Sequence, residues 1–437
     1  MSVENDLTGT RFEWMSRDEI TAWQNERLPI IIRQAAKSPW YSRVFAEKGI
    51  DPEDIKGLDD LSRLPYTTKA DLRESYPDGM LAVPKSEVVR MHTSSGTTGK
   101  PTTIMHTAED LENWSEIMAR SMAMAGFTKD DVFQNMSGYG LFSGGLGIHM
   151  GSEKLGMWTI PAATGNTTRS LMLIRDFGVT GVHATPSYMM HVAEAMLQKG
   201  ENPKELPLKR AICGAEPYTE EMRKKLEELY DMKVFNNYGL SEMNGPGIAF
   251  ECPYQTGMHL WEDSYIMEII DPVTLEPVPD GETGELVLTN LRRMGMPLIR
   301  YRTRDLTHIV KGECPCGRVH RRIARFVGRS DDMLVIKGVN VFPSQIEEVI
   351  MRKPWLGGNY LITLTTKKQL DDLALDVELN RSMFDGDMDT LRSRKAELEA
   401  DLKAQLGFGV TVNIVEQGTL PASEGKAKRV LDKREGI

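Results

Sequence analysis

The chain has 437 residues, a net charge of −10, 40% hydrophobic and 27% charged residues. That length exceeds one simple core and implies two or three domains, and the composition is ordinary for a globular protein. Net acidity argues against sequence-independent nucleic-acid binding, which needs many phosphate contacts from Lys and Arg, and no apolar run is long enough for a membrane helix. Residues 1–14 are polar and acidic, without the basic and apolar regions of a signal peptide, so the cytoplasm is the expected compartment. Four cysteines (Cys213, Cys252, Cys314 and Cys316) are too few for a disulfide framework at this length.

Taken in chain order, residues 17–36 and, after Pro65, residues 69–74 read as helices. From residue 88 apolar strands alternate with helices: strands at 88–92, 181–184, 210–213 and 233–237, helices at 108–125, 187–199 and 220–230. Such alternation predicts parallel βαβ units and a buried sheet, the α/β class. Residues 262–325 are turn-rich, with strands at 264–270 and 284–288, which predicts an antiparallel module at about 250–325. A third composition begins near Asp331. It has strands at 333–336, 360–365, 373–379 and 410–415, a helix at 344–351, and a charged helix carrying Leu391, Leu398, Leu402 and Leu406 near one face. This predicts a small α+β domain, with residues 1–328 before it and 329–437 within it.

The strongest local signal is Thr93-Ser94-Ser95-Gly96-Thr97-Thr98-Gly99-Lys100-Pro101-Thr102, directly after a predicted strand. Glycines admit phosphate close to the backbone, hydroxyls and amides donate to its oxygens, and lysine adds charge. It is not a P-loop, because only two residues separate Gly96 from Gly99 and Pro101 replaces the magnesium-binding hydroxyl. With this loop, Gly138-Tyr139-Gly140-Leu141-Phe142, Gly214-Ala215-Glu216-Pro217, Tyr238-Gly239-Leu240-Ser241-Glu242, Tyr301-Arg302-Thr303-Arg304-Asp305, the run 328–347 and Gly425-Lys426-Ala427-Lys428-Arg429, the chain resembles the adenylate-forming (acyl-CoA synthetase) superfamily. Within it, the chain is most similar to the phenylacetate-CoA ligase family, over nearly its whole length.

That resemblance implies a large, multi-subdomain N-terminal domain, a small C-terminal lid that swivels between two half-reactions, and ATP, Mg²⁺, an aryl acid and coenzyme A as cofactors and substrates. It assigns Ser95, Gly96, Thr97, Thr98, Gly99 and Lys100 to phosphate, and Gly214, Ala215, Glu216 and Pro217 to adenine and the acyl pocket. Ligands gather at the carboxyl ends of parallel strands, which favours the same reading of 214–217. Asn237, Tyr238, Gly239 and Ser241 fall to the nucleotide, Glu242 to Mg²⁺, a hard cation that prefers oxygen, and Asp305 and Arg329 to ribose or phosphate. Asp331 becomes the hinge, and Lys337 and Gly338 line the coenzyme A tunnel. Lys426 becomes the catalytic lysine that stabilises charge on phosphorus, with Lys428 as the alternative. Tyr139, Phe142 and Gly214 border the acid, beside Gly144, Gly145 and Gly147, which leave space.

Cys252, His259, Cys314 and Cys316 are three thiols and an imidazole in one segment, a common tetrahedral Zn²⁺ set of structural type because no position stays open. Free buried thiols are the alternative. Another aromatic carboxylate, or another acceptor such as a carrier-protein thiol or a deazaflavin, also fits the motifs. Oligomeric state stays open, a homodimer among the arrangements.

Overall fold

The computed structural model describes residues 10–94, 101–331, 334–336, 339–367, 370–380, 387–421 and 429–434. Helix α1 (Arg17–Ala35) starts at Ser16, whose hydroxyl accepts from the Glu19 amide while the Glu19 carboxylate accepts from Ser16. This reciprocal cap satisfies amides that a helix start leaves free. Helices α2 (Pro39–Lys48) and α3 (Lys69–Glu74) are capped in turn by Ser38 and Thr68. The strands β1 (Arg90–Thr93) and β2 (Thr103–His106) form an antiparallel hairpin with Thr93 opposite Thr103. Thr102 Oγ1 donates to Ser94 Oγ at 2.6 Å and closes its base. The glycine-rich connection, Ser95, Gly96, Thr97, Thr98, Gly99 and Lys100, lies outside the described residues.

Strands and helices then alternate: α4 (Ala108–Met124), β3 (Val132–Asn135), α5 (Ser143–Lys154), β4 (Trp158–Ile160), α6 (Thr167–Asp176), β5 (Gly181–Ala184), α7 (Pro186–Gln198), β6 (Arg210–Gly214), α8 (Glu220–Tyr230) and β7 (Lys233–Leu240). Strands β4, β3, β5, β6 and β7 lie side by side and parallel, as crossover helices require. Every residue of β5 is buried, the pattern of a sheet covered on both faces.

The same sheet turns antiparallel through β8 (Gly245–Glu251) and β9 (Met258–Leu260). A second sheet is built from β10 (Tyr265–Ile270), β11 (Gly284–Asn290) and β12 (Tyr301–Thr307). The short strands β13 (Ile309–Val310) and β14 (Arg322–Ile323) return to the first sheet beside β9, and β15 (Gly328–Arg329) joins the second beside β12. The segment expected as one antiparallel module thus divides between two sheets.

Helix α5 corrects the expectation that its glycines leave room for an acid. A Cβ on Gly147 would lie 2.3 Å from the Trp114 ring and one on Gly151 2.4 Å from Met118 Cβ. The close approach of α5 to α4 is therefore what these two positions serve. Around Gly144 the space is open.

The C-terminal part comprises β16 (Leu334–Ile336), β17 (Val339–Val341), α9 (Pro343–Met351), β18 (Leu356–Lys367), β19 (Leu370–Leu379), α10 (Met388–Leu406), β20 (Thr411–Val415) and β21 (Val430–Asp432). Its sheet runs β20-β19-β18-β21, and α10 buries Leu398, Leu402 and Leu406. Lys337, Gly338 and Lys426 lie outside the described residues. One apolar cluster continues from Met189, Met190 and Met222 on α7 and α8 into Ile346, Val349 and Trp355, so the small domain rests on the face those two helices present. Among the described residues no helix is long and apolar enough to cross a membrane.

Candidate active site

The site forms where β6 and β7 end. A Cβ at Gly214 would lie 2.4 Å from the Asn237 carbonyl oxygen, so the two strands approach this closely only with glycine there. Ala215 follows in the left-handed region at φ +68, which turns the chain sharply. Pro217 follows Glu216, whose Oε1 accepts from the Ser187 amide at the start of α7, 2.7 Å away. Strand β7 does not stop at Asn237, as the sequence suggested, but runs to Leu240. Asn237 Oδ1 accepts from the Gly247 amide at 2.9 Å, and a Cβ at Gly239 would meet the Gly245 carbonyl at 2.1 Å.

Three expected residues from distant parts of the chain meet here. The Tyr238 hydroxyl donates to Asp305 Oδ2 at 2.6 Å, and Arg329 Nη1 donates to Asp305 Oδ1 at 3.0 Å. The Tyr238 ring packs 4.3 Å from that of Phe326. Burial first, and then the charge of Asp305, push the Tyr238 phenol well above its ordinary range, so it remains a donor. Arg329 also grips Asp331 through Nε at 2.9 Å and Nη2 at 3.0 Å, which ties the expected hinge to the nucleotide-side residues. The rest of the basic run has another job. Arg300 pairs with Glu268, and Arg302 and Arg304 pair with Glu285, at 2.7, 2.7 and 3.6 Å. They bridge the face of the second sheet.

Ser241 Oγ lies 2.8 Å from Ser143 Oγ at the start of α5. Glu242 is buried, and its Oε1 lies 3.2 Å from Lys69 Nζ on α3. Sequence reasoning missed Lys69 and Ser143. Neither stands in a motif, and only the fold brings them here.

Tyr139 and Phe142, the expected acid-side aromatics, differ in setting. The Tyr139 hydroxyl accepts from Asn135 Nδ2 at 3.0 Å and lies 3.2 Å from His149 Nδ1, and burial pushes its phenol up to about 12. Phe142 is half exposed at the start of α5. Asn135 also donates to the Gly145 carbonyl at 2.8 Å and accepts from His183 Nδ1 at 3.1 Å, so one amide fixes the Tyr139 loop to α5 and β5. Burial holds the His183 imidazole down to about 4. The unfolded chain takes up that proton near pH 6.5. The contribution is therefore complete above about pH 6.5 and is lost as pH falls toward about 4, by roughly 3 kcal/mol. Urea unfolding at about pH 7 and about pH 4.5 should show a smaller loss in His183→Gln than in the parent protein. Equal losses would contradict this account.

A second cluster stands at the antiparallel end of the first sheet. The β8–β9 turn brings Cys252 to His259, and the loop between β13 and β14 carries Cys314 and Cys316 over them. Cys314-Pro315-Cys316-Gly317 closes as a tight turn, with the Gly317 amide donating to the Cys314 carbonyl at 2.9 Å and Gly317 at φ +80. The four ligand atoms lie within 4.8 Å of one another. Cys252 Sγ is 3.6 Å from Cys314 Sγ, and Cys316 Sγ is 3.3 Å from His259 Nε2. Tetrahedral zinc with Zn–S near 2.3 Å and Zn–N near 2.0–2.1 Å has ligand edges of about 3.5–3.8 Å, so these two separations lie close to its edges and the donor types suit the ion. His259 Nδ1 donates to the His320 carbonyl at 3.0 Å, which leaves the Nε2 lone pair toward the sulfurs, the outer-shell pattern of a ligating histidine.

Comparison with known proteins agrees with this geometry. Residues 34–293 match the model of the AMP-binding enzyme family and residues 338–434 that of the AMP-binding enzyme C-terminal domain. The phenylacetate-coenzyme A ligase of Pseudomonas putida is 45% identical over 97% of this chain and 96% of its own length, and that of Thermus thermophilus 43% over 97% and 98%. A solved 2-hydroxyisobutyryl-CoA ligase in its postadenylation state, 29% identical, superimposes with a TM-score of 0.92 over 97% of this chain and 92% of that one. The same ligase in its thioesterification state gives 0.72 over the same shares. The chain therefore superimposes more closely on the postadenylation structure than on the thioesterification one. The chain belongs to the phenylacetate-CoA ligase family of adenylate-forming AMP-binding enzymes.

Proposed function

We propose that this chain activates phenylacetate, or a closely related aryl acid, with ATP to an acyl-adenylate and then passes the acyl group to the thiol of coenzyme A. Identity of 43–45% with phenylacetate-coenzyme A ligases along nearly the whole chain carries this reading. The meeting of Tyr238, Asp305 and Arg329 supports it.

In the first step a carboxylate oxygen of the acid attacks the α-phosphorus and diphosphate leaves. Asp305, in contact with Tyr238 and Arg329, would accept from the ribose hydroxyls. The backbone of 214–217 flanks adenine, and residues 95–100 cradle the phosphates. Glu242 would hold Mg²⁺ together with phosphate oxygens, and that ion would neutralise charge on the leaving diphosphate. Lys69, 3.2 Å from Glu242, is the cation that a metal held by Glu242 would displace. Lys426 lies in the small domain and stabilises charge growing on the α-phosphate. In the second step the sulfur of coenzyme A attacks the acyl carbon, its proton is lost, and AMP leaves.

Residues 1–328 form the stationary domain and 329–437 the lid, with Asp331 the hinge and Lys337 and Gly338 along the path of the thiol. Zinc at Cys252, His259, Cys314 and Cys316 is structural, and no step passes through it. The cytoplasm supplies both ATP and coenzyme A, and we place the protein there.

A panel of phenylacetate, benzoate, 2-hydroxyisobutyrate and palmitate tests the substrate, with diphosphate release followed in each case. Phenylacetate should give the highest kcat/KM. Turnover of 2-hydroxyisobutyrate alone, of palmitate alone, or acyl transfer that ignores coenzyme A would overturn the reading.

A further inference from the structure

Glu347 stands on α9 of the small domain and is 6% exposed. Its two oxygens reach in different directions. Oε1 accepts from the backbone N–H of Thr219 in the large domain at 3.3 Å, and Oε2 accepts from the Tyr360 hydroxyl on β18 at 2.7 Å. Thr219 is the N-cap of α8, so the carboxylate meets the positive end of a helix dipole. That end lies just beyond Pro217, at the segment placed against the nucleotide.

The contact continues toward the C-terminus. The Arg429 guanidinium carbon sits 4.3 Å from the Tyr360 ring centroid, within range of a cation–π attraction. Arg429 Nη1 donates to Asn359 Oδ1 at 3.1 Å, and the Arg429 carbonyl accepts from the Ile362 amide at 2.8 Å. Arg429 closes the segment Lys426-Ala427-Lys428-Arg429. A chain of contacts, Thr219–Glu347–Tyr360–Arg429, therefore runs from the large domain to the base of the lysine segment. Burial raises the Glu347 carboxyl above its ordinary range, and in such surroundings both oxygens need the partners they have.

We propose that Glu347, backed by Tyr360 and Arg429, is a latch that holds the small domain in the acyl-adenylate-forming position. It is a positioning residue, and the proposal rests on the two-step reading above. On the proposed rotation of the small domain about Asp331, Glu347 would leave the end of α8, so the Thr219 contact would serve the first step alone.

The test separates the half-reactions in the full-length protein. Acyl-adenylate formation is followed by trapping with hydroxylamine, and thioester formation is measured from supplied phenylacetyl-adenylate and coenzyme A. Glu347→Ala should slow the first about 10–100-fold, the range that a misplaced reacting group costs, and change the second less than about 3-fold. In Glu347→Gln the amide oxygen accepts from Thr219 and the amide nitrogen donates to the Tyr360 oxygen, so the first step should return close to the parent rate. Thr219→Pro removes the N–H donor from the large-domain side and should repeat the split, which decides the matter if Glu347→Ala does not fold. Equal loss of both steps in these variants, or no loss in either, overturns the latch. A parent protein that forms no acyl-adenylate overturns the functional reading itself, a distinct result.

Discussion

Lys426→Ala should slow acyl-adenylate formation about 10²–10³-fold, the usual cost of removing one donor to a developing oxyanion. Thioester formation from supplied acyl-adenylate should be almost unchanged. Adenylation builds negative charge on the oxygens of a pentacoordinate phosphorus, and an ammonium held there is stronger in the transition state than in the ground state. Lys426 lies within residues 338–434, which match the AMP-binding enzyme C-terminal domain and are proposed above as part of the lid. The arrangement of this chain matches the postadenylation state of a relative far better than its thioesterification state, 0.92 against 0.72. A lysine delivered by the lid in one placement is withdrawn in the other, so it serves one step. Gly338→Leu should do the reverse, because on the proposed assignment bulk there obstructs the thiol and leaves adenylation intact. The check is each half-reaction measured separately in both variants. Equal loss of both steps in Lys426→Ala would mean that the lysine is structural or that the domains do not alternate.

Purified without chelator, the protein should carry one zinc per chain, and Cys316→Ser should lose it together with much of the local stability. Removing a ligand from a closed tetrahedral site weakens bonds that also support folding, and a cost of about 3–5 kcal/mol is expected. The effect should spread to the start of the chain. The loop that carries Cys314 and Cys316 continues into Arg318, which donates to Glu13 at 2.7 Å, and His320, whose ring nitrogen lies 2.9 Å from the Phe12 carbonyl oxygen. Glu262 takes Arg17 and Arg321 onto one carboxylate. Loosening this loop should thus expose the N-terminal segment to protease before the nucleotide site is lost. Elemental analysis, thermal unfolding and limited proteolysis check the three parts. Absence of metal from the parent protein, or an N-terminus no more sensitive in Cys316→Ser, would contradict them.

Of the five parallel strands, β5, β6 and β7 were legible because their signals are local, whereas β3 and β4 were not read, and the strand expected at 88–92 lies instead in the antiparallel β1–β2 hairpin. Residues 220–230 show an amphipathic pattern behind the cap Thr219, and α8 occupies that range. Helix α5 was hidden by its glycines at 144, 145, 147 and 151. They weaken helix propensity, and tertiary packing against Trp114 and Met118 explains two of them. The division of residues 250–325 between two sheets was not readable, since strand pairing is a non-local choice and both sheets use the same alternation. The cysteine and histidine set could be named from composition, because few other roles gather those residue types. Tyr238, Asp305 and Arg329 came from the family resemblance, and the structure adds their mutual contacts. Lys69 carries no local signature, Glu347 ends the run 328–347 without that run indicating its contact, and their partners Glu242 and Thr219 lie far along the chain.

The most direct measurement of the central claim is product analysis with phenylacetate, ATP and coenzyme A, followed by the same reaction with coenzyme A replaced by hydroxylamine. Two-step chemistry predicts AMP, diphosphate and phenylacetyl-CoA in equal amounts, and phenylacetyl hydroxamate with diphosphate once the thiol is withheld. ADP and phosphate as products, or no hydroxamate from a protein that still makes the thioester, would contradict an acyl-adenylate intermediate.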